Sequence, residues 1–365
     1  MIESKEHEED LIEFAEKLRY KAQSFPKNEM GMPTKTYLEY ISMMYDAEII
    51  KIVLEIDVFP KMTSVLKLSK KIGMDKKELL NKLDDTIKRG FITKMGPQLS
   101  LPSPLFVYDI PFILEENYSR EDVVKFAQLS RKFYTDDKYY KIWENKRDGT
   151  PRMRVVTVSE MVEPDQYIQP IEEIYKIIDQ HENFALIPCP CRQRAEVEGI
   201  RECKDKYPIH NCILFDMYAK AVASLGDPNV KEVSKEHVKK ITREAAEIGL
   251  VHMTDNYANN TTILCACCEC CCGMLKGLTK LDNPRAVAKA NFISVIDEDT
   301  CVACGTCLTR CKFGAITINN VAKVEISKCL GCGLCAVTCP EDAITMKRME
   351  REPIPELKKK KSAIQ

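Results

Sequence analysis

Cys301-Val-Ala-Cys304-Gly-Thr-Cys307-Leu-Thr-Arg-Cys311 and Cys329-Leu-Gly-Cys332-Gly-Leu-Cys335-Ala-Val-Thr-Cys339-Pro340 are one pattern written twice. The repeat extends beyond the cysteines: Gly305 matches Gly333, Ala315 matches Ala343, and Ile316 matches Ile344. All 18 cysteines of this 365-residue chain fall between Cys189 and Cys339. A secreted disulfide scaffold is short and spreads its cysteines through the fold. Here Cys267-Cys268 and Cys270-Cys271-Cys272 are direct neighbours, a spacing that strains disulfides but lets several thiolates converge on a metal.

Three cysteines at every third position of a tight loop wrap three corners of an iron–sulfur cube, with backbone amides turned toward the sulfides. The fourth cysteine is expected to begin a helix that heads away, and so to ligate the other cube. Cluster one then takes Cys301, Cys304, Cys307 and Cys339; cluster two takes Cys329, Cys332, Cys335 and Cys311. Gly305, Gly331 and Gly333 let the loops close around the inorganic core. Paired zinc sites are the competing reading, but zinc ribbons join two separated C-x-x-C knuckles rather than runs of four.

Residues 290–347 thus resemble the bacterial two-cluster [4Fe–4S] ferredoxin domain, which implies single-electron transfer. Lys312 departs from that pattern at the place where Pro340 keeps it, and its charge would raise the potential of the nearby cluster.

The middle region, 111–289, carries the other ten cysteines and reads as a cysteine-rich α/β domain. A helix is expected from Pro164 to Gln180, carrying Ile171, Ile174, Tyr175, Ile177 and Ile178. A buried strand, Phe184–Ile187, leads to Cys189-Pro190-Cys191-Arg192, where prolines should hold both sulfurs on a rigid turn. A further helix, Lys235–Ile248, has Ser234 as N-cap, Gly249 as stop and an inward stripe of Val238, Ile241, Ala245 and Ile248. Cys189, Cys191, Cys203 and Cys212 form one candidate ligand set for an additional iron–sulfur centre. Cys265, Cys267, Cys268, Cys270, Cys271 and Cys272 supply a second. Zinc and dithiol redox chemistry on the vicinal cysteines are the alternatives. Arg192 and Arg194, beside Cys191, are candidates to compensate a thiolate-rich cluster or bind an anionic substrate, against the plainer reading of solvated arginines. His210 and His252 are weighed as ligands or proton donors against ordinary structural histidines. Cys271-Cys272-Gly273 weakly resembles the cysteine-rich domain of heterodisulfide reductases.

Residues 36–110, after an N-terminal helical arm (1–35), give a helical stripe through Leu38, Ile41, Met44, Tyr45, Ile49, Ile52 and Val53. Helices at Ser64–Ile72 and Lys76–Arg89 follow, then a hairpin turning at Gly96-Pro97. Three helices and a two-stranded wing resemble a winged-helix domain. Its third helix mixes Lys76, Lys77 and Lys82 with Glu78, Asp84 and Asp85, which favours protein docking over DNA, since phosphate binding needs unopposed cations. The whole chain carries 54 basic and 55 acidic side chains, which excludes a broadly basic nucleic-acid binder. A basic tail (348–365) ends in Lys358–Lys361 and reads as solvated. With no apolar leader and no run long enough to span a bilayer, the protein is expected in the cytosol.

The order of winged helix, CPCR, CCECCC and double ferredoxin motif is similar to a group of little-characterised 4Fe–4S proteins of anaerobes. The expected architecture is therefore α+β and multidomain. The expected function is an electron carrier or the electron-transfer subunit of an anaerobic oxidoreductase, working with redox partner proteins through two [4Fe–4S] clusters and one or two further centres. An oxidoreductase with its own substrate-binding cluster, or a redox-sensing DNA-binding regulator, are the alternatives.

Overall fold

The computed structural model describes residues 2–18, 25–102, 107–146, 148–162, 172–351 and 353–356. It contains both helices and sheets and divides into two units. The first comprises Met1–Gly149, Ala185–His210 and Ala219–Glu232; the second comprises Thr150–Phe184, Asn211–Tyr218 and Val233–Gln365. The middle region therefore contributes to both. Among the described residues, no helix is long and apolar enough to cross a membrane.

In the first unit, Thr34 accepts a bond from the Tyr37 amide and starts the helix Lys35–Ser42. The stripe read as one helix through Val53 is broken. Asp46 Oδ1 accepts from the Glu48 and Ile49 amides and restarts the chain as a second helix, Ile49–Val53. Val65–Ile72 ends at Gly73 in the left-handed conformation. Asp75 then caps Lys76–Lys88 by accepting from the Lys77 and Glu78 amides. Strands Thr93–Met95 and Gln98–Ser100 pair as a hairpin, and Thr63–Ser64 adds a third strand that the sequence did not suggest. The core is aromatic: Tyr40 meets Phe126 edge-on at 4.9 Å and Phe133 at 5.4 Å, and its hydroxyl donates to the Tyr108 carbonyl at 3.0 Å.

The second unit is built on strands that run side by side: Val287–Ala288, Met153–Val155, Val251–Asp255, Ile263–Cys267 and His210–Phe215, in that order. The first pairing is parallel and the rest antiparallel. The helix Lys235–Ile248 has Ser234 accepting from the His237 amide at its start and left-handed Gly249 at its end. Its inward face is Val238, Thr242, Ala245 and Ala246, whereas Ile248 is exposed. Gly249 closes the helix and Arg310 donates to the Ala246 carbonyl at 3.1 Å, so this last turn is capped by a cation rather than by core.

The helix expected over Pro164–Gln180 begins only at Ile174 and ends at Asp179. Residues 163–171 lie outside the described residues, as does Lys358–Lys361. Residues 172 and 173 are held extended, because Thr157 donates to the Glu172 carbonyl and Ile174 donates back to Thr157. That extension delivers the Glu172 carboxylate to buried Arg154 Nη1 at 2.7 Å, while Arg154 Nε donates to Asn256 at 2.9 Å. At the C-terminal end, Phe292–Ile296 pairs antiparallel with Ile344–Arg348, and Ile316–Ile318 with Ala322–Val324.

Candidate metal centres

The sequence repeat is also a backbone repeat. Gly305 and Gly333 both take left-handed φ, at +83° and +82°, and so do Ala303 and Gly331, which occupy matching places. Each left-handed glycine starts a short helix, Thr306–Arg310 or Leu334–Val337. Cys311 and Cys339 therefore follow a helix instead of beginning one, as the spacing had suggested. The physical reason is that only four or five residues separate each left-handed start from the next reversal, which ends in the strands beginning at Ile316 and Ile344.

A cavity in this unit is lined by Cys301, Cys304 and Cys307 of the first run together with Cys339 of the second. Apolar groups, among them Ile318, Ala322 and Ile344, complete the wall. On the other side, burial pushes the Cys332 and Cys335 thiols up, Cys335 to about 12, and nearby Cys329 and Cys311 add to both shifts. Cys311 thus lies with the second run and Cys339 with the first. The loops also offer donors to sulfur: the Ala322 amide to Cys301 Sγ at 3.5 Å and the Ala315 amide to Cys311 Sγ at 3.3 Å, with Ser294 Oγ 3.0 Å from Cys335 Sγ. Buried thiols that crowd one another while facing hydrogen-bond donors suit ligands whose charge is compensated by iron. The donor set and its surroundings fit iron–sulfur cubes. Cys304 is exposed, and its neighbour Thr306 holds its thiol below the ordinary value.

The ten other cysteines are placed as follows. Cys189, Cys191 and Cys203 belong to the first unit. Cys189 precedes the helix Pro190–Val197, so Cys191 is helical rather than on a rigid turn; proline at the first helical position has no amide to lose and is pre-set for the helix. Cys212 belongs to the second unit, directly opposite Cys265 in the antiparallel ladder, with their sulfurs 4.0 Å apart. Cys267 lies two residues on and so shares their face of the sheet. The Cys212 sulfur, followed by burial, pushes the Cys265 thiol well up, with Cys267 partly offsetting that rise. After the strand, Cys268, Cys270 and Cys271 bring their sulfurs within 4.8 Å of one another. Crowding against Cys268 and Cys270 drives the Cys271 thiol far above its ordinary range. The described cysteines form no disulfides.

Arg194 donates to Asp109 Oδ1 at 2.7 Å and to the Tyr108 carbonyl at 3.1 Å, with its guanidinium over the Phe112 ring. Burial raises Asp109 to about 6, and Arg194 opposes that rise. Arg192 is fully buried and donates to the Pro208 carbonyl. Both side chains have protein partners in the first unit. Burial, reinforced by Lys231, holds His210 below its ordinary value. His252 sits opposite Ala266, on the sheet face away from Cys265 and Cys267, and burial alone lowers it to about 4.

Two features escaped the sequence reading. Lys312 pairs with Glu269 at 2.9 Å, tying the first cysteine run to the CCECCC loop. Arg351 donates to the carbonyls of Cys329 (2.6 Å), Ala290 and Phe292, pinning the second run. Neither has a local signal, because each contact closes over tens of residues. On the helix Lys76–Lys88 and at its C-cap, Lys82 pairs with Glu48, Lys88 with Asp84, and Arg89 with Asp85.

A family model described as a 4Fe-4S dicluster domain matches residues 294–346. No curated protein and no solved structure matches the chain. The chain carries a C-terminal ferredoxin-type 4Fe–4S domain and, with it, the capacity to bind at least one iron–sulfur cluster.

Proposed function

We propose that this chain is an electron-transfer protein, or the electron-transfer subunit of an oxidoreductase, that moves single electrons through two C-terminal [4Fe–4S] clusters to a further cysteine-ligated centre. One observation carries the reading: the cavity that gathers Cys301, Cys304 and Cys307 with Cys339, while Cys311 lies among the cysteines of the other run. Cys301, Cys304, Cys307 and Cys339 hold one cube; Cys329, Cys332, Cys335 and Cys311 hold the other. When bound, each cube supplies reversible one-electron chemistry. The amides of Ala315 and Ala322 and the Ser294 hydroxyl stabilise negative charge at the ligating sulfurs. Exposed Val302 and Leu308 flank exposed Cys304, an apolar edge where a redox partner protein would dock. Cys212, Cys265 and Cys267, sharing one sheet face, supply ligands for the further centre.

The N-terminal helices and hairpin support a winged-helix-like domain used for protein docking. The observation favouring docking over DNA is that Lys82, Lys88 and Arg89 are each engaged by a carboxylate, so these three cations are opposed where phosphate binding would need them free.

The test is anaerobic purification followed by an EPR-monitored reductive titration. Signals of reduced [4Fe–4S] centres that vanish in a Cys304→Ser, Cys332→Ser double variant support the reading. A chain that takes up no reducing equivalents refutes it.

A further inference from the structure

We propose that Cys268, Cys270 and Cys271 bind a single tetrahedral, thiophilic divalent ion of the zinc class, separate from any cube. The argument is one of spacing. A single ion with metal–sulfur bonds of about 2.3 Å places its thiolates about 3.8 Å apart along the edges of a tetrahedron. Cys270 Sγ and Cys271 Sγ are 3.7 Å apart, and all three sulfurs lie within 4.8 Å of one another. A disulfide would need a sulfur–sulfur distance of about 2.05 Å. A cube spreads its thiolates over four separate irons, so its ligands stand further apart. The same chain shows that contrast: among the described residues, no three cysteines of the two C-terminal runs come this close together.

The local fold explains the convergence. The strand Ile263–Cys267 ends, and the Cys272 amide donates to the Cys268 carbonyl at 3.1 Å, closing a turn that folds Cys271 back toward Cys268. Cys268 and Cys271 are buried. Glu269, between the ligands, is anchored by Lys312, whose positive charge also offsets the excess negative charge of three thiolates on a dication. Soft thiolates in tetrahedral array select zinc or ferrous iron over the harder cations.

The test uses the full-length chain, produced anaerobically with zinc and iron both supplied, and measures zinc, iron and acid-labile sulfide per chain. Cys271→Ser should lose about one equivalent of zinc while iron and sulfide stay unchanged. Loss of one iron without any sulfide supports the same site holding ferrous iron. X-ray absorption of the unmutated protein, which requires no variant to fold, should show metal–sulfur distances near 2.3 Å with no metal–metal scattering from the zinc. Loss of iron and sulfide together in Cys271→Ser and in Cys270→Ser, or no change in any metal, overturns the proposal. A preparation that keeps its zinc but contains no iron or sulfide would instead defeat the electron-transfer reading alone.

Discussion

Replacing Gly331 with alanine should damage the C-terminal domain far more than the same change at Gly305. Both glycines have left-handed φ, at +75° and +83°, and a side chain in that conformation costs about 1–2 kcal/mol. Ala303, the counterpart of Gly331, already tolerates φ of +52°, so the conformation alone does not exclude alanine. The difference is in what the new methyl would meet. At Gly305 its nearest neighbour is Ile318 Cδ1 at 4.0 Å. At Gly331 it would fall on the Phe292 carbonyl oxygen, 3.1 Å from Ala290 Cβ and 3.0 Å from Arg351 Nη2. Those groups cannot yield, because Arg351 is bonded to the Phe292 carbonyl at 2.5 Å and Thr157 Oγ1 to the Gly331 carbonyl at 2.7 Å. Overpacking of that kind adds about 1–3 kcal/mol. Gly305→Ala should therefore cost about 1 kcal/mol, and Gly331→Ala about 2–5 kcal/mol with partial loss of iron. Apparent urea midpoints under argon, followed by the visible absorbance of the cluster, with iron per chain measured alongside, give the comparison. Equal midpoints and equal iron in the two variants would refute the reasoning.

Three other perturbations follow from the same contacts. Arg154→Met removes the close cation from the buried Glu172 carboxylate, leaving it the Asn291 amide at 3.1 Å and Arg348 at 3.6 Å, and should cost about 3–5 kcal/mol in chemical denaturation; restoring part of it with Glu172→Gln checks the cause. Glu269→Gln removes the partner of Lys312 and leaves its charge free to stabilise added electrons, so the potential of the cluster ligated by Cys311 should rise by on the order of tens of mV in an EPR-monitored titration. His252 is held at about 4 by burial, below its ordinary 6.5, so the unfolded chain binds a proton that the folded chain refuses. Its contribution is fully present above pH 6.5 and is lost as pH falls toward 4, by roughly 3 kcal/mol. His252→Leu should flatten the stability profile across that window; an unchanged acid slope contradicts the assignment.

What the sequence disclosed, it disclosed through local signals. Ser234 and Gly249 bracket their helix because a cap and a left-handed stop act on adjacent backbone, and Gly96-Pro97 turns the hairpin for the same reason. The doubled cysteine spacing is legible because each loop wraps its own three sulfurs. Contacts set by register were not legible. Nothing near Cys212 announces that strand pairing will set it against Cys265, and it had been grouped with Cys189, Cys191 and Cys203 by proximity in the chain. Ile171–Tyr175 promised a longer helix, but Glu172 is held extended where it can reach Arg154. Pro190 looked like a breaker because the same residue that interrupts a helix also begins one.

The central claim, that the paired C-terminal loops hold two cubes, is tested most directly by counting iron and acid-labile sulfide in natively purified, oxygen-protected protein. With Cys268, Cys270 and Cys271 all changed to serine to remove their contribution, the account predicts at least about eight irons and eight sulfides per chain. A colourless protein with zinc in place of iron and no sulfide would contradict it.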